Sequence, residues 1–136
     1  SIANLVYFTP EEEEESGISE IEKFIVKPTY ESYKLDRMRV NLATPTGGDT
    51  IIVYCEFALA IDGNDNALKD ELQIRKNQIV DTIHKVLGEK TYHDVATKQK
   101  QQFELKQELI DRLNAILNNK RIEDLYIIQF VISQSA

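Results

Sequence analysis

The sequence predicts an α+β domain, a mostly antiparallel sheet with two main helices packed on one face. Three observations predict it. Residues 51–61 place Ile51, Val53, Cys55, Phe57, Leu59 and Ile61 on one side, the period-2 alternation of a half-buried strand. The period then changes, and Leu68, Leu72, Ile79, Ile83, Val86 and Leu87 recur at helical spacing, followed by Leu105, Leu109, Leu113, Ile116 and Leu117. Finally, the chain closes on LYIIQFVISQSA, a strongly apolar stretch. Strands, then helices, then a strand argue for helices segregated to one face of an antiparallel sheet. At 136 residues and 42% hydrophobic, the chain suits one domain with one sizeable core.

The elements follow in order. Residues 1–20 contain Pro10, five consecutive glutamates and Gly17. Like charges side by side repel and extend a chain, so this stretch reads as an acidic linker, with residues 21–136 as the domain. The alternative is that Leu5, Val6, Tyr7 and Phe8 add a short strand to the sheet. Residues 21–44 are rich in β-branched and aromatic side chains and broken at Pro28, which favours extended structure. A turn cluster over residues 44–49 joins them to the long strand, so the two pair antiparallel. Tyr54, Glu56, Ala58 and Ala60 occupy that strand's other face.

Asp62-Gly63-Asn64-Asp65-Asn66 is a second turn, leading into one helix over residues 67–87, which Gly88 ends in the C′ position. Glu71 and Arg75 form an i,i+4 pair in the favourable order, as do Glu108 and Arg112. Thr91 and Asp94 have the spacing of a capping box and start a short helical turn. A third helix is expected over residues 99–118, stopped at Asn118-Asn119. In the closing strand Tyr126, Ile128, Phe130 and Ile132 alternate with Leu125, Ile127 and Val131, interrupted by Gln129. Apolar on both faces, it should be central or covered on both sides, inserted beside residues 51–61.

Charge is unevenly placed. Residues 1–20 hold six acids and no bases, leaving seventeen acids and sixteen bases to residues 21–136. The net charge of −7 therefore belongs almost entirely to the arm. No basic face of the density that nucleic acid requires stands out. One cysteine, Cys55, allows no intrachain disulfide. The longest apolar runs, residues 50–61 and 125–133, fall short of the roughly 20 residues that span a bilayer as a helix. The chain opens on SIAN, and the expectation is that a membrane anchor or export signal precedes it.

No catalytic constellation emerges. Asp62, Asn64 and Asn66 match the first half of a calcium loop, but Ala67 stands where the loop requires glycine and Gln73 where it requires the bidentate glutamate. Gly88-Glu89-Lys90-Thr91 lacks the earlier glycine of a phosphate loop and follows a helix instead of a strand. His84 and His93, nine residues apart, read as a partly exposed residue beside Ile83 and as part of the capping turn, not as metal ligands. Cys55 lies on the apolar stripe, where a cysteine is ordinarily buried and inert. Lys98, Lys100 and Lys106, interleaved with Gln99, Gln101 and Gln102, read as a solvated helix face; Phe103 is their one aromatic neighbour. No catalytic, cofactor-binding or metal-binding residue is assigned. The alternatives are a periplasmic module that binds a small molecule or metal through the Asp62 turn and the histidines, or an enzyme built on Cys55.

The order and spacing of several segments over residues 33–134 resemble the periplasmic C-terminal domain of the flagellar basal-body-associated FliL family. They are Val40-Asn41-Leu42, the strand over residues 51–61, Glu71-Leu72 with Ile79-Val80-Asp81-Thr82-Ile83, Lys90-Thr91 with Asp94-Val95, Leu105-Lys106, Glu108-Leu109, Arg112-Leu113-Asn114, Leu117, and the ending Asp124 through Gln134. The chain departs from the pattern at Asn77, where the family has proline, and at Val80, where it has arginine. Lys98-Gln99-Lys100-Gln101 also replaces a Gly-Lys pair, with one added residue. The resemblance implies a stomatin/prohibitin-type (SPFH-like) module in a single-pass inner-membrane protein. It implies no enzymatic activity and no cofactor. The implied partners are basal-body components, the periplasmic linker of the stator B subunit, and further copies of the domain forming a ring around the ion-driven stator. The membrane is met only through the anchor before residue 1. Ring neighbours are expected to meet through polar surfaces of the third helix and the edge of the sheet, a heterologous contact.

Overall fold

A computed structural model of the chain describes residues 29–45 and 47–134. The sheet is organised around β3 (Ile51–Asp62), which pairs antiparallel on one side with β1 (Tyr30–Lys34) and β2 (Met38–Asn41) and on the other with β4 (Asp124–Gln134). β1 runs from Tyr30 opposite Asp62 to Lys34 opposite Ala58, and β2 from Met38 opposite Cys55 to Asn41 opposite Ile52. Leu35 still donates its N–H to the Phe57 carbonyl at 3.0 Å. Asp36 and Arg37 thus stand against the single Glu56, a bulge that splits one extended stretch into two.

A second bulge faces the same residue. Glu56 pairs with Gln129 of β4 but Phe57 pairs with Ile127, so Ile128 is extra. This corrects the strict alternation expected of the closing strand. Leu125 is fully buried and Ile127, Phe130 and Ile132 pack on the core, while Tyr126, Ile128 and Val131 stay 40%, 48% and 49% exposed. β4 does insert beside β3, as expected, but among the described residues it pairs with β3 alone. Among the described residues it is an edge strand with an open outer face, not a central one.

The core lies on the face carrying Val53, Cys55, Phe57, Leu59 and Ile61, all fully buried. Helical leucines and isoleucines cover it. α1 (Asn66–Ile74) opens on Asp65, whose side chain accepts from the Leu68 N–H at 3.1 Å. α2 (Lys76–Gly88) follows after a break at Arg75 (φ −97°, ψ 19°), so the single helix expected here is two. The break falls where the apolar stripe lapses between Leu72 and Ile79; the intervening Ile74 is 83% exposed. Gly88 is the last helical residue rather than a left-handed C′ residue, and Glu89 caps the helix in ordinary right-handed geometry. Among the described glycines only Gly47, at φ 82°, takes positive φ, letting the Gly48 N–H reach the Pro45 carbonyl at 2.9 Å.

α3 (Tyr92–Val95) is the short turn expected after Thr91. The third long helix starts as a π-helical turn (Lys100–Leu105) and continues as α4 (Lys106–Ile116). The wider π turn takes up a residue that a regular helix would have to displace. Leu105, Leu109 and Leu113 thereby keep one buried face. Among the described residues no helix is long and apolar enough to cross a membrane.

Candidate interaction surface

The Asp62–Asn66 turn and the Thr91–Asp94 capping box singled out in the sequence are engaged in the fold itself. Asp62 Oδ1 accepts from the Asn64 N–H at 2.9 Å. Asp65 caps α1 and also pairs with Arg121 Nε at 2.8 Å. Their carboxylates therefore stabilise a turn and pin the approach to β4, and no group of His, Cys, Asp or Glu suited to a metal forms among the described residues. His84 is half-buried on α2, and exposed His93 stacks edge-on with Tyr92 at 5.7 Å. Asp94 Oδ2 accepts from the Thr91 N–H (2.9 Å) and hydroxyl (3.1 Å), and these bonds hold its carboxyl below the usual carboxylate range.

Cys55 is fully buried, and burial pushes its thiol up to about 12. Thiolate is the nucleophile, so the geometry disfavours chemistry at Cys55. Native protein at neutral pH is expected to react with a thiol reagent far more slowly than unfolded protein. Equal rates in a stopped assay would contradict this.

Sequence reading saw Glu71 only as a helical ion-pair partner; its second role spans 47 or more residues. Its side chain, 9% exposed, accepts from Arg75 Nε at 2.7 Å, from the backbone N–H groups of Asn118 (2.6 Å) and Asn119 (2.9 Å), and from Asn119 Nδ2 (3.0 Å). Burial opposes ionisation, but the hydrogen bonds win and hold the carboxyl at about 2. Asn114 grips the same loop, accepting from the Ile122 N–H at 3.0 Å and donating to its carbonyl at 3.3 Å. The one signal in the sequence was an acid between Leu68 and Leu72 on the buried side of α1.

The accessible features are therefore surfaces. The outer face of the sheet exposes Tyr54, Tyr126, Ile128 and Val131. The two sheet edges differ. The β1–β2 edge is broken by its bulge and carries Glu31, Lys34, Asp36, Arg37 and Arg39, devices that discourage pairing. The β4 edge has no charge and no proline from Leu125 to Gln134. Beneath it, on the helix side, lies a cavity of about 480 Å³ floored by Ile51, Phe130 and Ile132 and walled by Tyr92, Gln101 and Lys98. A second of about 430 Å³, toward Ala43 and His93, shares Ile51, Tyr92 and Gln134 with it.

Fold and surface together define a small α+β domain whose sheet is covered by helices on one face and open, with one uncharged edge, on the other. Residues 32–132 match the family described as flagellar basal body-associated protein FliL, and the chain belongs to that family. The flagellar protein FliL of Aquifex aeolicus (strain VF5) is 30% identical over 101 residues, covering 74% of this chain and 60% of that protein. The chain thus spans about 60% of the length of this curated relative. The resemblance drawn from spaced segments over residues 33–134 coincides with the matched region.

Proposed function

We propose that the domain is a non-enzymatic accessory module of the flagellar motor, acting on the periplasmic side of the inner membrane at the basal body. In this reading it self-associates into a ring around the ion-driven stator units and contacts the periplasmic linker of the stator B subunit. Stator retention or activation, torque and motility then depend on it. Membership of the basal-body-associated family across residues 32–132 carries the reading. It is supported by the engagement of the polar clusters in the domain's own loops and by the burial of Cys55. Residues 1–20 serve as the linker from a preceding transmembrane helix. Their six acids repel an anionic membrane surface and hold the domain away from it.

The test is a pull-down of a stator B-subunit periplasmic linker by the tagged chain, with light scattering of the chain across a concentration series. Retention of the linker and a molar mass that rises with concentration are expected. A chain that stays monomeric at the highest concentration and retains no linker overturns the reading.

A further inference from the structure

β4 is apolar on both faces, carries no charge from Leu125 to Gln134, and among the described residues pairs with β3 alone. Its second ladder of backbone donors and acceptors is a template for another strand. The bulge decides which strand fits. Before it, Leu125 and Ile127 lie on the core face and Asp124 and Tyr126 on the outer face. After it, Phe130 and Ile132 lie on the core face and Val131 and Ser133 on the outer. A strand that joins this sheet must match those faces, because side chains of paired residues stand on the same side. A second β4, run antiparallel, matches them along its whole length. Leu125 of one copy then stands opposite Ile132 of the other, Tyr126 opposite Val131, Ile127 opposite Phe130, and exposed Ile128 opposite exposed Gln129. Shifting this register by one or two residues either way sets a core-facing side chain against an exposed one.

Charge selects the same arrangement. Glu123 extends the ladder one step before β4, donating its N–H to the Ala60 carbonyl at 2.9 Å. In this register it comes opposite Gln134 of the other copy, whose side chain lines the 480 Å³ cavity together with Lys98. Glu123 and Lys98 are exposed, and neither makes any of the ion pairs found among the described residues. The edge thus has an acid at its start and a base at its end, the order that an antiparallel copy of itself complements. We propose that two copies of the chain pair β4 to β4 across a two-fold axis at Ile128–Gln129, joining two four-stranded sheets into one, with Glu123 of each copy facing Lys98 of the other. Every contact occurs twice. Tyr126, Ile128 and Val131, exposed in the single copy, meet apolar or uncharged neighbours across the axis. The contact is isologous, so it pairs copies and cannot by itself close a ring, which takes a separate head-to-tail surface. The proposal does not rest on the stator reading. A single strand pair is a small interface, and the association is weak.

The test uses the full chain with one exposed position of β4 changed at a time. Residues directly opposed in an antiparallel pair lie within disulfide reach, and buried Cys55 does not compete. Under mild oxidation, Tyr126→Cys mixed with Val131→Cys is expected to give a covalent dimer joining position 126 to position 131, in several-fold excess over either variant alone. A second measurement reads charge by sedimentation or light scattering. Lys98→Glu alone and Glu123→Lys alone each set like charges together twice and should weaken dimerisation roughly tenfold. An equimolar mixture of the two restores both contacts and should recover the parental association. Both positions are on the surface, so folding is kept. No excess of the mixed disulfide, or a mixture of charge variants no stronger than either alone, overturns the proposal, as it would if another segment of the chain or a different protein covered this edge. A chain that retains the stator linker without the 126–131 disulfide overturns this pairing and leaves the stator reading standing; the disulfide without linker retention does the reverse.

Discussion

Truncation after Asp124 is expected to abolish folding. β4 supplies Leu125, fully buried, and Ile127, Phe130 and Ile132 packed on the core, and its register with β3 runs from Ile51–Gln134 to Ala60–Asp124. Full burial of one such side chain contributes roughly 1.5–3 kcal/mol. Leu125 contributes in full and the three partly buried side chains in part, together a large share of the whole stability of a domain, about 5–15 kcal/mol. Their loss would also uncover Phe57 and Leu59 and leave the β3 backbone unpaired along one side. Circular dichroism and calorimetry of residues 1–124 should show no cooperative melt. A soluble truncated chain with a sharp transition would refute the role given to β4, and with it the claim that the closing strand completes the core.

Glu71→Gln is expected to be the most damaging single polar substitution. The carboxylate is matched by donors only: Arg75, two backbone N–H groups and the Asn119 amide. An amide in its place loses the charge and turns its own N–H group toward donors. Breaking a fully buried charge pair costs about 3–5 kcal/mol; with Arg75 30% exposed the loss falls at the lower end of that range, a fall in Tm of about 10 °C for a domain of this size. The pH dependence has a definite sign. The folded carboxyl, at about 2, lies below its ordinary value of 4.5. Its contribution is therefore complete above about 4.5 and is lost as pH falls toward about 2. The stability gap between wild type and Glu71→Gln should accordingly narrow across that window. A gap that is constant from neutral pH to pH 2, measured by chemical denaturation, would show that the carboxylate's charge is not what holds residues 118–119.

Much of the fold was legible because its signals are local. The β3 stripe from Ile51 to Ile61 is written at period 2 in adjacent residues, and Val53 through Ile61 are buried on that face. The helical leucines are likewise legible, because 3.6-residue spacing identifies a buried face without any knowledge of what covers it. Thr91 and Asp94 cap a turn through neighbours three residues apart. The features that escaped are relational. The break at Arg75 and the π turn at Lys100–Leu105 leave the apolar spacing readable and change only the backbone that carries it. Glu71 was visible as a partner of Arg75, four residues away, and invisible as the clamp on Asn118 and Asn119.

The closing strand marks the boundary between the two kinds of information. Its apolar composition and its place beside β3 were determined by the sequence, since a run such as LYIIQFV has few other ways to leave water. Which residues face the core was decided by the tertiary structure, because the extra Ile128 opposite Glu56 shifts the alternation by one and side-chain period in a strand is two. Whether the strand is central or an edge is likewise a property of its neighbours. Composition states that both faces of β4 seek cover; only the arrangement of the other strands shows which side has received it.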